Sequence, residues 1–597
     1  MSAPAVRLHA SPPPGEAPLS ATGRLWRTPA PPAGLAARLS ACTGVSSLVA
    51  SVLAARGVSA DSAPAFLAPK LKTVLPDPSV MADMDAAATR IADAVERGER
   101  IAIFGDYDVD GVTASALLAR TLKELGADVR VRLPDRELDG YGPSVAAFRA
   151  LAEEGATLIL TADCGASAVE PVAAAAAAGA DVVVLDHHQM GGERPAAAAI
   201  VNPNRPDCPS GLRELSAAGV SLMAMIAATR ELRRRGRFAA RAEPNLVGKL
   251  DLAALGLICD VMPMTGAARA IAAQGLKVMA MGATPGMAEL VARVGDRRPL
   301  TAYDAGFVIG PRINAAGRLA NPKIAFDLLM TDDPDEARRL AVRLDELNAE
   351  RRAIEQAVTD AAAAEIGEAA DAPVVVAAGE GWREGVVGIS AGRLREKFGR
   401  PAFAIAIRNG VGKGSGRSVP GVDIGAAVRA AVEAGVLIAG GGHAQAAGLT
   451  VAPERVGDLR DFLGAHIRDQ APDGAPVEEL SIDAEARLGA ISGETAEALS
   501  KLGPFGPGNP EPTLVFRGVR IDRLDVRGGR HFALSLSGEI GEPAARAVVF
   551  RADGSDLGAF LAASVGRRVD LAGVVRADTW RGGGAGELHV QDARAAR

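Results

Sequence analysis

Aromatic residues are scarce in this 597-residue chain, at 3% of positions, with three tryptophans, three tyrosines and fourteen phenylalanines. A chain that is nonetheless 48% hydrophobic must fill its cores with aliphatic side chains. Cysteine is scarcer in effect: Cys42, Cys164, Cys208 and Cys259 are scattered without a C-x-x-C pair. That spacing excludes a zinc site and a disulfide framework and predicts a reducing, cytoplasmic setting. No apolar run approaches the ~18 residues of a membrane span, and no basic stretch followed by an apolar one opens the chain, so neither a membrane partner nor a secretory leader is expected. An excess of positive charge is missing too, with 66 Lys and Arg against 72 Asp and Glu. A globally basic polyanion binder is thereby disfavoured, whereas a protein that gathers acids in one cleft and keeps its basic residues local is not. The length predicts about three or four domains.

What the chain does have is Ile101–Thr113, IAIFGDYDVDGVT. Ile101 to Phe104 read as a short buried strand that runs into Asp106, Asp108 and Asp110 at every second position. In an extended chain this period puts three carboxylates on one side. Two like charges at ~4 Å repel by roughly 1 kcal/mol in water and about 4 at an effective dielectric of 20, so the cluster predicts cations. An EF-hand loop starting at Asp106 would need a glutamate at its twelfth position, which is Leu117; that reading fails.

The unit of strand, acidic loop, helix and strand recurs. Val112–Leu125 has a helical apolar pattern stopped by Gly126, and Ala127–Leu133 reads as the next strand. Thr157–Thr161 runs into Asp163-Cys164-Gly165, and Val182–Leu185 runs into Asp186-His187-His188. Apolar strands followed at their carboxyl ends by metal-ligand residue types predict a parallel α/β sheet with a site at the strand ends. Asp260 follows a further apolar run. GPRINAAGRL, 310–319, mixes Arg312 and Asn314 with small residues and reads either as a turn or as a phosphate contact. From Asp333 a helix is predicted to about Ile366, roughly 50 Å at 1.5 Å per residue, a rigid spacer between domains. A second α/β domain follows, with glycine-rich loops expected at GVGKGSGRS, 410–418, and GGGHAQAAGLT, 440–450; each reads as a tight turn or an anion cradle. Short alternating segments beyond residue 475 predict a small β-barrel. The proline-rich N-terminus predicts a flexible tail.

The ordered set Asp106-Tyr-Asp-Val-Asp-Gly, Asp163-Cys-Gly, Asp186-His-His and Asp260 resembles the successive motifs of the DHH phosphoesterase superfamily. GDYDVDG, GPRINAAGRL, GKGSGRSVPGVDI and GGGHAQAAGL resemble its RecJ family of single-strand exonucleases. The resemblance implies a fold of tail 1–45, parallel-sheet DHH domain 46–332, connecting helix 333–370, smaller α/β DHH-associated domain 371–470 and OB-fold barrel 471–597. It implies a cytoplasmic, monomeric 5′-to-3′ exonuclease on single-stranded DNA in repair and recombination, with a helicase and a single-strand-binding protein as further partners. Its cofactors would be two divalent ions, manganese or magnesium, which oxygen-rich ligation with one imidazole suits better than zinc. One ion would be held by Asp110, Asp163, His187 and Asp260, the other by Asp106, Asp108 and a shared Asp163. His188 would face the phosphate and Asp186 would orient the histidines. Arg136, Arg312, Asn314, Ser415, Arg417 and His443 would bind substrate, with Arg136, Ser415 and Arg417 anchoring a terminal phosphate. In the barrel, Phe516, Phe532, Phe550, Phe560 and Trp580 would be the stacking candidates. The alternatives are a DHH phosphodiesterase on short oligonucleotides or cyclic dinucleotides and a non-catalytic DNA-binding scaffold.

Overall fold

The computed structural model describes residues 19–136, 139–140, 142–295, 299–367, 372–470, 477–578 and 584–596. They form two compact units, one of Ala68–Ala353 with Pro504–Pro510, the other of the remaining described residues.

The first unit is built on a five-stranded sheet in the order Asp128–Arg132, Arg100–Gly105, Leu158–Ala162, Asp181–Leu185, Ala199–Val201, with every pair parallel. All but the edge strand Asp128–Arg132, whose DVRVR alternates, read as near-continuous apolar runs because both faces are covered. Ile101 and Ile103 pack with Leu117, Leu118 and Met223 on one side, while Ala102 and Phe104 pack with Phe148 and Val172 on the other. The chain leaves Arg100–Gly105 toward one edge of the sheet and returns to lay Leu158–Ala162 on its other flank. That reversal opens a crevice at the carboxyl ends of these two strands, where α/β folds hold their ligands.

The second unit contains a mixed sheet in the order Ala439–His443, Ala446–Val451, Val411–Arg417, Ala402–Arg408, Val375–Glu380. The segment 410–418, expected as a loop, is mostly the strand Val411–Arg417, antiparallel to both neighbours. Its alternate glycines serve packing. A Cβ on Gly414 would lie 2.8 Å from Ile405 and Leu449, and one on Gly416 would lie 2.3 Å from the Phe403 ring, so the neighbours' large side chains fill the face that these residues leave bare. The second glycine-rich segment is a hairpin, Ala439–His443 with Ala446–Val451.

A closed five-stranded barrel follows. Leu514–Arg527, His531–Ser537, Ala545–Val549, Gly586–Ala595 and Arg568–Ala577 pair in that order, and the last closes onto the first; this is the OB arrangement. The barrel core takes Phe516 and Phe532, 1% and 6% exposed, which removes them from the stacking candidates. Phe550 is exposed and Phe560 half-buried; Trp580 lies outside the described residues.

The N-terminal segment departs from the expected tail over 1–45. Leu25–Arg27 pairs in parallel with Glu479–Ser481, and Leu35–Thr43 and Ser47–Ala55 are helices. The Trp26 indole donates to Asp592 Oδ2 at 2.9 Å, with the Arg594 guanidinium 4.5 Å from its ring. Three residues between proline clusters are too short to show a strand period, so only the tertiary partner makes this strand. Trp26→Ala should lower the stability of this unit by about 2 kcal/mol through lost ring packing and the lost bond to Asp592 Oδ2, which keeps Arg24 Nε at 3.5 Å, readable as a shifted urea midpoint.

Candidate metal centre

Three acids prolong the sheet ladder beyond its strands. Asp106 N donates to Ala162 O (3.1 Å), Asp163 N to Leu185 O (3.1 Å) and Asp186 N to Val201 O (3.2 Å), so one acid from each motif lands in a row at the crevice. The chain is not extended past Asp106, contrary to the alternation argument. Asp108 is the N-cap of the helix Val109–Glu124, accepting from Asp110 N and Gly111 N at 2.9 and 3.1 Å, and Asp110 lies in the first turn. A strand-to-helix corner therefore gathers the three carboxylates. Gly111 permits the corner, because a Cβ there would lie 2.6 Å from Asp106 O.

Asp110 does a second job. Its carboxylate accepts from Ser216 Oγ (2.7 Å), Ala217 N (2.7 Å) and Ala218 N (3.0 Å). The helix Ala217–Arg234 has no side-chain cap of its own, so Asp110 caps it from across the core. Asp163 sits at φ 68°, a left-handed conformation uncommon outside glycine. Asp260 closes the helix Leu250–Cys259 and is followed by Val261 at φ 58°, which is strained for a β-branched residue.

The His187 Nε2 atom lies 3.2 Å from Asp163 Oδ1, 3.4 Å from Asp260 Oδ2 and 3.9 Å from Asp110 Oδ2. Three sets of donor atoms converge: Asp110, His187 and Asp260; Asp106, Asp108 and Asp163; and Asp163, His187 and His188. Asp163 is shared by the last two. Asp106 Oδ1, Asp163 Oδ1 and His187 Nε2 are buried and have no hydrogen-bond partner, a costly arrangement for polar atoms unless another group completes them.

The electrostatics agree. Burial, then the Asp108 charge, pushes Asp106 up to about 8 and Asp110 up to about 7. Burial and the charges of Asp110 and Asp108 raise Asp260 to about 8 and hold Asp163 well above the carboxylate range. Burial and the neighbouring His188 press His187 down to about 4, which leaves a neutral imidazole with a free lone pair. Crowded carboxylates that resist ionisation and one neutral imidazole are a donor set for a hard divalent cation.

His188 is set apart. Burial opposes its charge, but its Nδ1 lies 2.8 Å from Asp186 Oδ1, and that contact raises its pKa to about 9. Burial likewise opposes ionisation of Asp186, yet the His188 bond and charge and the N–H groups of Ala166 and His188 hold it below the usual range. Asp186 thus fixes the His188 ring; for His187 it holds only the backbone N–H, at 2.7 Å. Asn202 and Asn204, which the sequence reading passed over, donate to the carbonyls of His188 and His187. Their signal was an Asn-Pro-Asn directly after the strand Ala199–Val201.

GPRINAAGRL is neither turn nor loop but the helix Gly310–Leu319. Its glycines let it approach the acidic loop: a Cβ on Gly317 would lie 2.4 Å from Tyr107 O, and one on Gly310 2.4 Å from Cys259 Sγ. Gly317→Ala should displace the backbone between Asp106 and Asp108 and lower turnover at least tenfold while circular dichroism stays unchanged, since 1 Å at a site is worth orders of magnitude. Arg312, expected to meet substrate, is engaged by Asp345 Oδ1 at 2.6 Å and Val308 O at 2.5 Å and braces its helix. Asn314 is half-buried. The Arg136 guanidinium lies 5.0 Å from the centroid of the Tyr107 ring, and its charge reaches Asp106. In the second unit, Arg417 Nη1 donates to Ser415 Oγ at 2.9 Å on one face of their strand, above Gly388, where a Cβ would lie 3.2 Å from both side chains. His443, exposed, ends the strand Ala439–His443.

Family models match in the same order as these elements: the DHH family N-terminal domain over residues 100–257, the DHHA1 domain over 371–469 and the RecJ OB domain over 482–592. The single-stranded-DNA-specific exonuclease RecJ of Dickeya dadantii is 35% identical over 494 residues, 80% of this chain and 85% of that protein. The chain belongs to the RecJ family. The RecJ of Bacillus subtilis is also 35% identical, over 81% of this chain but 60% of its own length. A crystal structure of Thermus thermophilus RecJ in complex with Mn2+ superposes with a TM-score of 0.80 at 30% identity, covering 96% of this chain and 80% of that one; the Mg2+ complex gives 0.74 at 29%.

Proposed function

We propose that this chain is a metal-dependent, single-strand-specific 5′-to-3′ exodeoxyribonuclease of DNA repair and recombination. The observation that carries the reading is the trio of buried, unpartnered atoms, Asp106 Oδ1, Asp163 Oδ1 and His187 Nε2, at the carboxyl edge of a parallel sheet. Asp110, Asp163, His187 and Asp260 would hold one divalent ion, and Asp106, Asp108 and the shared Asp163 another, manganese or magnesium. Such a pair supplies Lewis acidity for in-line hydrolysis of a phosphodiester, so the protein itself needs no nucleophile. The chain's own contribution is placement. Asp186 fixes the His188 ring through Nδ1, and His188 would turn its Nε2 toward a phosphate oxygen. Arg136, held against Tyr107, adds a positive charge beside the acidic loop. Ser415 and Arg417 present a hydroxyl and a guanidinium together, a pairing suited to a terminal phosphate, which supports the 5′ polarity. Single-stranded DNA is the partner this reading names; a helicase and a single-strand-binding protein would feed it substrate in the cytoplasm, where it would act as a monomer.

End-labelled single- and double-stranded DNA, incubated with Mn2+ or with chelator, tests the proposal. Label should leave the 5′ end of single strands only, and only with metal. Arg417→Ala should lose the preference for 5′-phosphorylated over 5′-hydroxyl strands, about 10- to 100-fold for a lost charge-assisted bond of ~1.5–3 kcal/mol. Release of 3′ label first, or an unchanged preference, would contradict the polarity.

A further inference from the structure

In a chain so poor in aromatics, two rings are placed together in solvent. Tyr303 and Phe307, 55% and 71% exposed, stack with centroids 4.9 Å apart and planes at 24°. Burial does not explain them, and a stacked, exposed pair one turn apart presents a flat π-surface. The local fold builds it deliberately. Thr301 and Asp304 form a capping box that starts the helix, and Ala305–Ile309 is a π-helical turn, a rare feature that concentrates at functional sites.

The turn is pinned to the end of the helix that carries Asp260. Cys259 Sγ lies 3.7 Å from Ala305 O, and a Cβ on Gly306 would meet Ile258 at 3.4 Å. Further along, Gly310 and Gly317 hold the same helix against Cys259 and against Tyr107 of the acidic loop. The turn that carries the two rings is therefore packed against the end of the helix that presents Asp260. Val261, 65% exposed, adds an apolar side chain directly after Asp260.

We propose that Tyr303 and Phe307 form a stacking platform for a base of the single strand beside the reacting phosphodiester, which positions the polymer without reading its sequence. The proposal rests on the nuclease reading and names how that same site grips its substrate. Every base has a π-face, so such a platform is sequence-tolerant, and it requires an unpaired base, because a duplex keeps its faces stacked.

Binding, measured apart from cleavage, separates the two claims. Fluorescence anisotropy of a labelled 20-mer with chelator present should show affinity about 10- to 100-fold weaker for the Tyr303→Ala/Phe307→Ala double variant. Phe307→Trp should bind at least as tightly as the parent, and a strand of abasic residues should bind parent and double variant alike. Both side chains are exposed, so thermal melts should coincide. Equal affinity of parent and variant for the normal strand, an equal loss on the abasic strand, or a change of oligomeric state on substitution would each overturn the platform. If the parent binds single strands through these rings but cleaves none with Mn2+, the platform stands and the nuclease reading falls.

Discussion

Asp163→Asn should abolish hydrolysis and at the same time make the metal-free protein more stable. The carboxylate is buried among Asp110, Asp108 and Asp106, and its Oδ1 has no hydrogen-bond partner. Keeping it there costs free energy in either form, as repulsion if it is ionised and as a raised pKa if it is not. Asparagine removes that cost, and it tolerates the φ of 68° better than alanine would, because its short polar side chain suits the left-handed region. The expected gain is about 1–3 kcal/mol in chelator, the usual scale for an unsatisfied buried polar atom. Added Mn2+, which should raise the melting temperature of the parent, should do little for the variant.

Asp110→Ala should do the opposite to stability. Reasoning from sequence treats both acids alike, as ligands of one ion, and the structure separates them. The Asp110 carboxylate satisfies the Ser216 hydroxyl and the N–H groups of Ala217 and Ala218. Without it, three buried donors at the start of Ala217–Arg234 lose their acceptor. A loss of about 3–5 kcal/mol is expected, seen as a lower denaturant midpoint with or without metal, alongside loss of activity. Asp110→Asn, which keeps one carbonyl oxygen to accept, should recover part of the stability and none of the activity.

The legible part of this protein was what local chemistry writes into consecutive residues. Buried parallel strands announce themselves as apolar runs, and GDYDVDG, DCG and DHH at their ends announced the site. Less legible was anything decided by distant partners. GVGKGSGRS reads as a loop because seven of its nine residues are glycine, serine or lysine, which are poor strand formers; it is a strand because Phe403, Ile405 and Leu449 fill the volume its glycines leave. GPRINAAGRL reads as flexible for the same reason, although its glycines exist to bring a helix against Tyr107 and Cys259. Arg312 looked like a substrate ligand because arginine is a phosphate-binding residue type, and Asp345, 33 positions away, already holds it. The three-residue strand around Trp26 has no sequence signal, since its partner lies more than 450 residues on.

The central claim is that the acids and His187 are a cation site. Mn2+ titration followed by electron paramagnetic resonance tests it without relying on turnover. Free Mn2+ gives a six-line signal that is lost on binding, so the titration counts bound ions. The account predicts two bound ions per chain in the parent protein and, because Asp163 is shared, loss of both high-affinity sites in Asp163→Asn. Equal Mn2+ binding by the parent and Asp163→Asn, or no binding by either, would contradict it.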